Sequence, residues 1–212
     1  QFVLLCLAIF VTFANQALLT PTLPLYVTSL GGSASAAGLA LFAFAVPSFL
    51  VRPIMGHACD RWGGMLVLAA GAAALAVGGL LYFIPYLGAV FAASVVRGTA
   101  WGATSTGGLA VLVTAAPHHR RGEASGYYNS ALASASILFP AVALWLIHGH
   151  GGFNAVFALS IVFGIAAVPM TLAIRAEREA PVAPAEDATP LPRSVNRGIV
   201  LAILLNLAAN AR

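Results

Sequence analysis

Lysine is absent from this 212-residue sequence, and charge of either sign is scarce, with ten arginines, six acids and 8% charged residues in all. A soluble domain carries roughly 25% charged residues, so water is excluded as the solvent for most of this surface. No Lys, Arg, Asp or Glu precedes Arg52, so the first run is not expected to be a cleaved secretory leader, which has a basic start and a short apolar core. Two cysteines, Cys6 in an apolar run and Cys59 in a polar stretch, exclude a disulfide scaffold. No Gly‑x4‑Gly‑Lys loop occurs, so ATP-driven pumping would need a separate subunit. The pI near 9.6 does not mark a nucleic-acid partner, because the arginines are scattered between apolar runs and form no stripe on one helix. His148 and His150 flank Gly149 without further Cys, Asp or Glu, a poor metal site, and no cofactor is expected.

What remains is hydrocarbon. Hydrophobic residues make up 60% of the chain and the mean hydropathy is +0.94. Crossing a bilayer takes about 20 mostly apolar helical residues, since every backbone group must find its partner within the segment. Six runs qualify, at about 2–26, 34–55, 65–84, 87–113, 124–147 and 153–174, which predicts an all-α polytopic membrane protein. A seventh run opens at Ile199 and reaches Arg212, too short to span. With Gln1 at the start and an unfinished run at the end, the sequence is expected to be a piece of a longer chain.

Arginine sets the orientation, since short cytoplasmic loops retain it and translocated loops lack it. Arg61 follows run two, Arg120 and Arg121 follow run four, and Arg175, Arg178, Arg193 and Arg197 follow run six, whereas the connections after runs one, three and five have none. The region 175–198, with Pro181, Pro184, Pro190 and Pro192 among charges, therefore reads as a cytoplasmic linker of extended, solvated character. The expected organisation is a six-helix bundle over 1–174, a linker over 175–198 and the start of a seventh helix over 199–212. Two similar halves are implied, of which this is one.

After run two stand Gly56, His57, Ala58, Cys59, Asp60, Arg61, Trp62 and Gly63, read as a loop. With Gly56, Asp60, Arg61 and Gly63 in register, it resembles the signature loop of the major facilitator superfamily, although Gly64 and Met65 replace its final basic pair. Run four contributes Arg97, Trp101 and Gly102, similar to the superfamily's Arg‑x‑x‑x‑Gly‑x‑Gly element with an offset of about one position. Arg121, Gly122 and Gly126 resemble its approach to the fifth helix. Of the glycine-rich segment that its drug and proton antiporters carry there, only Pro140 stands, since Ala135, Phe139 and Ala143 occupy the glycine positions. The resemblance implies a six-helix N-terminal bundle. It also implies a conformational-switch loop in which the glycine permits close helix approach and Asp60 engages a helix end of the opposite half.

Arg97 lies ten residues into run four, about 15 Å along a helix and half the depth of a roughly 30 Å core. A guanidinium there costs at least about 2.5–3.5 kcal/mol on insertion scales, so it must face a bundle interior or an aqueous cavity. No acid occurs inside any of the six runs. Asn15, eleven residues before Tyr26, sits about 16 Å from the same face. Asn15 or Gln16 is therefore predicted to present an amide oxygen to Arg97, with Trp101, one turn on, lining the same substrate or coupling cavity. Gly98 and Gly102 form a small‑x‑x‑x‑small pair suited to close helix packing.

The function expected is a secondary active transporter moving a small organic solute by alternating access. Proton-coupled efflux is what the resemblance favours, and a facilitator or symporter for uptake is the alternative. The expected partners are the lipid bilayer, the solute, protons and a C-terminal half outside this sequence, and the expected location is a bacterial inner (plasma) membrane. An intramembrane hydrolase of six spans ranks below these. It would need a buried serine with histidine, or paired aspartates, at one depth, whereas the histidines lie in or beside loops and Asp60 and Asp187 fall outside the runs.

Overall fold

A computed structural model describes residues 2–116, 120–149 and 151–174, and these residues are helical with no strand among them. The expected linker and seventh helix, residues 175–212, lie outside the described residues, as do His118, His119 and His150. In chain order the helices are α1 (Phe2–Ser29), α2 (Ala34–Leu50), α3 (Arg52–Trp62) and α4 (Gly64–Leu80), then a 3‑10 turn (Leu81–Phe83), α5 (Leu87–Ala115), α6 (Arg121–Gly149) and α7 (Gly152–Ala173).

Helices α1, α4 with its 3‑10 turn, α6 and α7 are each long and apolar enough to cross a bilayer, and α2 with α3 qualifies as a bent pair. α5 has the length, 29 residues, but its Arg, Gly and Thr residues keep it out of that set. Many hydroxyls within the helices bond backward to the preceding turn, whereas the buried Ser94 Oγ of α5 has no hydrogen-bond partner among the described residues. Thr12 donates to the Ala8 carbonyl at 2.8 Å and Thr22 to that of Leu18 at 2.7 Å, the i−4 pattern available to hydroxyls in helices.

The second span departs from expectation in two ways. It is broken at Val51 and bent by 43°, where Pro53 near the start of α3 lacks the N–H that would continue the ladder. The segment read as a loop, from Gly56 onward, is mostly helix. α3 runs through Gly56, Asp60 and Arg61 to Trp62, and the chain turns only at Gly63, with φ 88° and ψ 142°. A helix-interior glycine costs about 1 kcal/mol relative to alanine. Ala58 of α3, buried beside Val67 of α4 and Ala103 of α5, supplies tertiary packing that offsets it.

Two apolar clusters fill the bundle. One gathers Leu18, Leu23, Tyr26, Val27, Tyr82, Val90 and Phe157, and the other Leu5, Ile9, Leu68, Val111, Leu112 and Tyr128. Along α5 and α7 the buried polar residues Ser94, Arg97, Thr104, Ser160 and Thr171 fall between these clusters in sequence. Outward the helices present Leu39, Phe42, Val77, Ile137 and Ile165, as hydrocarbon requires. Trp62, Tyr86, Tyr127 and Trp145 are exposed at or near helix ends, where amphipathic rings suit the membrane interface.

Candidate functional site

α4 and α5 approach each other through glycines seven residues apart. A Cβ added at Gly64, Gly71 or Gly78 would lie 2.7 Å from Ala110 Cβ, Thr104 Cγ2 or Arg97 Cγ respectively. The last of these gives Arg97 its seat, because the aliphatic stem lies where a side chain on α4 would otherwise stand.

Arg97 is only 1% exposed, so it faces the bundle interior. Its Nη1 donates to the Leu75 carbonyl at 2.9 Å, and its Nη2 donates to Asn15 Oδ1 at 2.7 Å and Gln16 Oε1 at 3.2 Å. The guanidinium carbon stands 5.9 Å from the centroid of the Tyr82 ring, within cation–π range. Asn15 Nδ2 in turn donates to the Ser160 carbonyl on α7. One side chain thus ties α1, α4 and α5, and through Asn15 also α7. Hydrogen bonds to charged groups contribute about 1.5–3 kcal/mol each, enough in combination to offset a desolvation cost of several kcal/mol. No carboxylate joins the cluster among the described residues, so dipoles solvate the charge without neutralising it.

The structure thus brings Arg97, Asn15 and Gln16 together. Gln16 is only partly buried, which makes it the member of the trio nearest the bundle surface. Trp101 is not joined to them. The ring beneath Arg97 is that of Tyr82, while Trp101 meets Phe13 edge-on with centroids 4.5 Å apart. Phe10, Phe139 and Phe163 continue the aromatic packing, at 5.6 and 5.2 Å. Pro140 is half-buried within an α6 that runs on to Gly149. Sequence reasoning missed Leu75, Gly78, Tyr82 and Ser160. Two of them serve through backbone carbonyls, which carry no residue-type signal, although the seven-residue glycine spacing on α4 was available to read.

Gly98 and Gly102 face α2. A Cβ at Gly98 would strike the Phe44 carbonyl oxygen, and one at Gly102 would lie 2.7 Å from the Ser48 carbonyl oxygen. Asp60 is exposed in the last turn of α3 and makes no hydrogen bond or ion pair among the described residues. The one salt bridge found there joins Arg120 and Glu123 at 2.8 Å.

A bundle of bilayer-length helices around a buried, hydrogen-bonded arginine defines an integral membrane protein. The chain belongs to the Major Facilitator Superfamily, whose profile matches residues 5–210. It is similar to the quinolone resistance protein NorA of Staphylococcus aureus, 28% identical over 156 residues that cover 73% of this chain and 38% of that protein. It is also similar to multidrug resistance protein 2 of Bacillus subtilis, 27% identical over 172 residues, with 76% of this chain and 39% of that one covered. The chain therefore spans under two-fifths of the length of these relatives. The superfamily consists of transporters, not enzymes, and the hydrolase reading falls with that.

Proposed function

We propose that the protein exports a small organic compound by alternating access, driven by inward proton movement. A second bundle, reached through the 175–198 linker, would complete the translocation path. The observation that carries this reading is the buried Arg97–Asn15–Gln16 trio in a superfamily member whose relatives are named for quinolone and multidrug resistance. An intramembrane charge is a functional site by default. Here Arg97 is a positioning residue, because it orients the Gln16 amide toward the bundle surface while remaining inaccessible itself.

Asp60 belongs to the same reading. A carboxylate in the last turn of a helix opposes the macrodipole by about 0.3–1 kcal/mol. Its retention there, without a described partner, fits an engagement with the opposite half. We place the α3–α4 turn and the linker in the cytoplasm, on the arginine distribution. Cysteine labelling of the intact protein should then find position 121 protected from, and position 33 open to, an impermeant reagent added outside.

The transport test is flux of a fluorescent quinolone in proteoliposomes with an imposed pH gradient. Expected is accumulation that follows the gradient and collapses with a protonophore. Equal flux without the gradient would favour a facilitator, a reading supported by the lack of any Asp or Glu in the interior of the described spans.

A further inference from the structure

The 43° bend at Val51 swings α3 aside and leaves a groove of about 570 Å³ between α3, α4 and α5. Its floor is made of small residues, Gly71 and Ala74 from α4 with Ala100 and Ala103 from α5. Its rim carries Ile54, Leu66 and Trp62, which are 64%, 59% and 63% exposed. At about 100° per helical residue, Ala103 points roughly 160° away from Trp101 around α5, so the groove lies on the far side of that helix from the aromatic face.

Thr99, in the lining of this groove, donates its hydroxyl to the Val96 carbonyl, and charged chemistry enters the groove at one end. Arg61 and His57 line it there, and the Arg61 guanidinium rests 5.9 Å from the Trp62 ring centroid. Asp60, adjacent in sequence, is displaced by about 100° around the helix and is not among the lining residues. Arg61 therefore has no carboxylate partner among the described residues. An apolar trough on a membrane-embedded flank, ending in an unneutralised cation and an interfacial tryptophan, is complementary to an amphiphile with one apolar tail and an anionic head. Basic pockets between membrane helices bind anionic headgroups, and each buried methylene of a chain adds about 0.8 kcal/mol.

We propose that this groove is a binding site for an anionic phospholipid of the leaflet at the α3–α4 end, with an acyl chain along Gly71, Ala74, Ala100 and Ala103 and its phosphate on Arg61, assisted by His57. The inference stands apart from the transport reading, since it assigns Arg61 to the lipid and leaves Asp60 to the conformational switch. A lipid wedged between α3 and the α4–α5 pair favours the bent form of the second span, so binding would couple membrane composition to the position of Asp60.

The test uses Trp62 as the reporter, in intact protein carrying Trp145→Phe and Trp101→Phe, reconstituted in phosphatidylcholine vesicles. Brominated phosphatidylglycerol is titrated in and compared with brominated phosphatidylcholine. Expected is half-maximal quenching at a several-fold lower mole fraction of the anionic lipid, a preference lost in Arg61→Gln and retained in Arg61→Lys. Ala74→Phe, which fills the floor, should weaken quenching by both lipids. A thermal melt of each variant checks folding, and the Lys variant keeps the charge question open to decision if the Gln variant is unstable. Equal quenching by the two lipids in the parent protein overturns the proposal. So does displacement of the brominated lipid by a transported quinolone, which would make the groove a substrate site, and so does indifference to both brominated lipids, which would mean that protein covers it.

Discussion

Arg97 Nη2 donates to Asn15 Oδ1 at 2.7 Å across 82 positions of sequence, and through this bond two spans share one buried polar centre. Asn15 passes the connection to the Ser160 carbonyl, so loss of either partner is felt by helices that the other does not touch. The consequences can be measured.

Arg97→Lys keeps the charge but cannot span Leu75, Asn15 and Gln16 as a planar five-donor fork does. Arg97→Ala removes both charge and fork. An unsatisfied buried polar group costs about 1–3 kcal/mol. Both variants should melt lower in detergent and transport at least about tenfold more slowly, with Lys restoring little. Wild-type transport in both, at equal insertion, would make Arg97 a packing residue.

A double-mutant cycle on Asn15→Leu and Arg97→Ala tests whether the two act as one unit. Residues within one hydrogen-bond network show interaction energies of about 0.5–3 kcal/mol. The double variant should therefore be more stable than the sum of the single effects allows, because Asn15→Leu alone leaves a buried guanidinium short of an acceptor. Additive melting data would mean that the contact carries no coupling.

Gly98→Val should press against the Phe44 carbonyl on α2 and separate α5 from the bent second span. Overpacking costs typically about 1–3 kcal/mol. Gly122→Ala, where an added Cβ meets nothing within 4 Å, serves as the control and should melt like the parent. Thermal unfolding in one detergent distinguishes the two, and equal melting would remove the tight α2–α5 crossing from the account.

Asp60→Asn removes charge while keeping shape. Asp60 is exposed and has no hydrogen bond among the described residues, so melting should not fall, and loss of a charge that opposes the helix dipole should raise stability by at most about 0.3–1 kcal/mol. If it holds the opposite half, transport should nevertheless fall, and the conformational balance should move toward inward opening by about 0.3–2 kcal/mol. Distance measurements between labels at the two inner ends would report that movement. Unchanged transport returns Asp60 to a solvated turn.

The sequence by itself determined the solvent, the helical class and the approximate span limits, because the backbone in hydrocarbon must satisfy itself and composition therefore dictates helix. It also determined the depth match of Asn15, Gln16 and Arg97, since a fixed rise per residue converts position into depth. Tertiary structure alone decided the remainder. The glycines around Asp60 read as a loop, yet contacts of Ala58 with α4 and α5 keep that stretch helical to Trp62. Equal depth could not say which face each helix turns inward. The Gly78 seat and the Leu75 and Ser160 carbonyls set Arg97 toward Tyr82 and leave Trp101 with Phe13, because rotation about a helix axis is fixed by packing against neighbours far away in the chain.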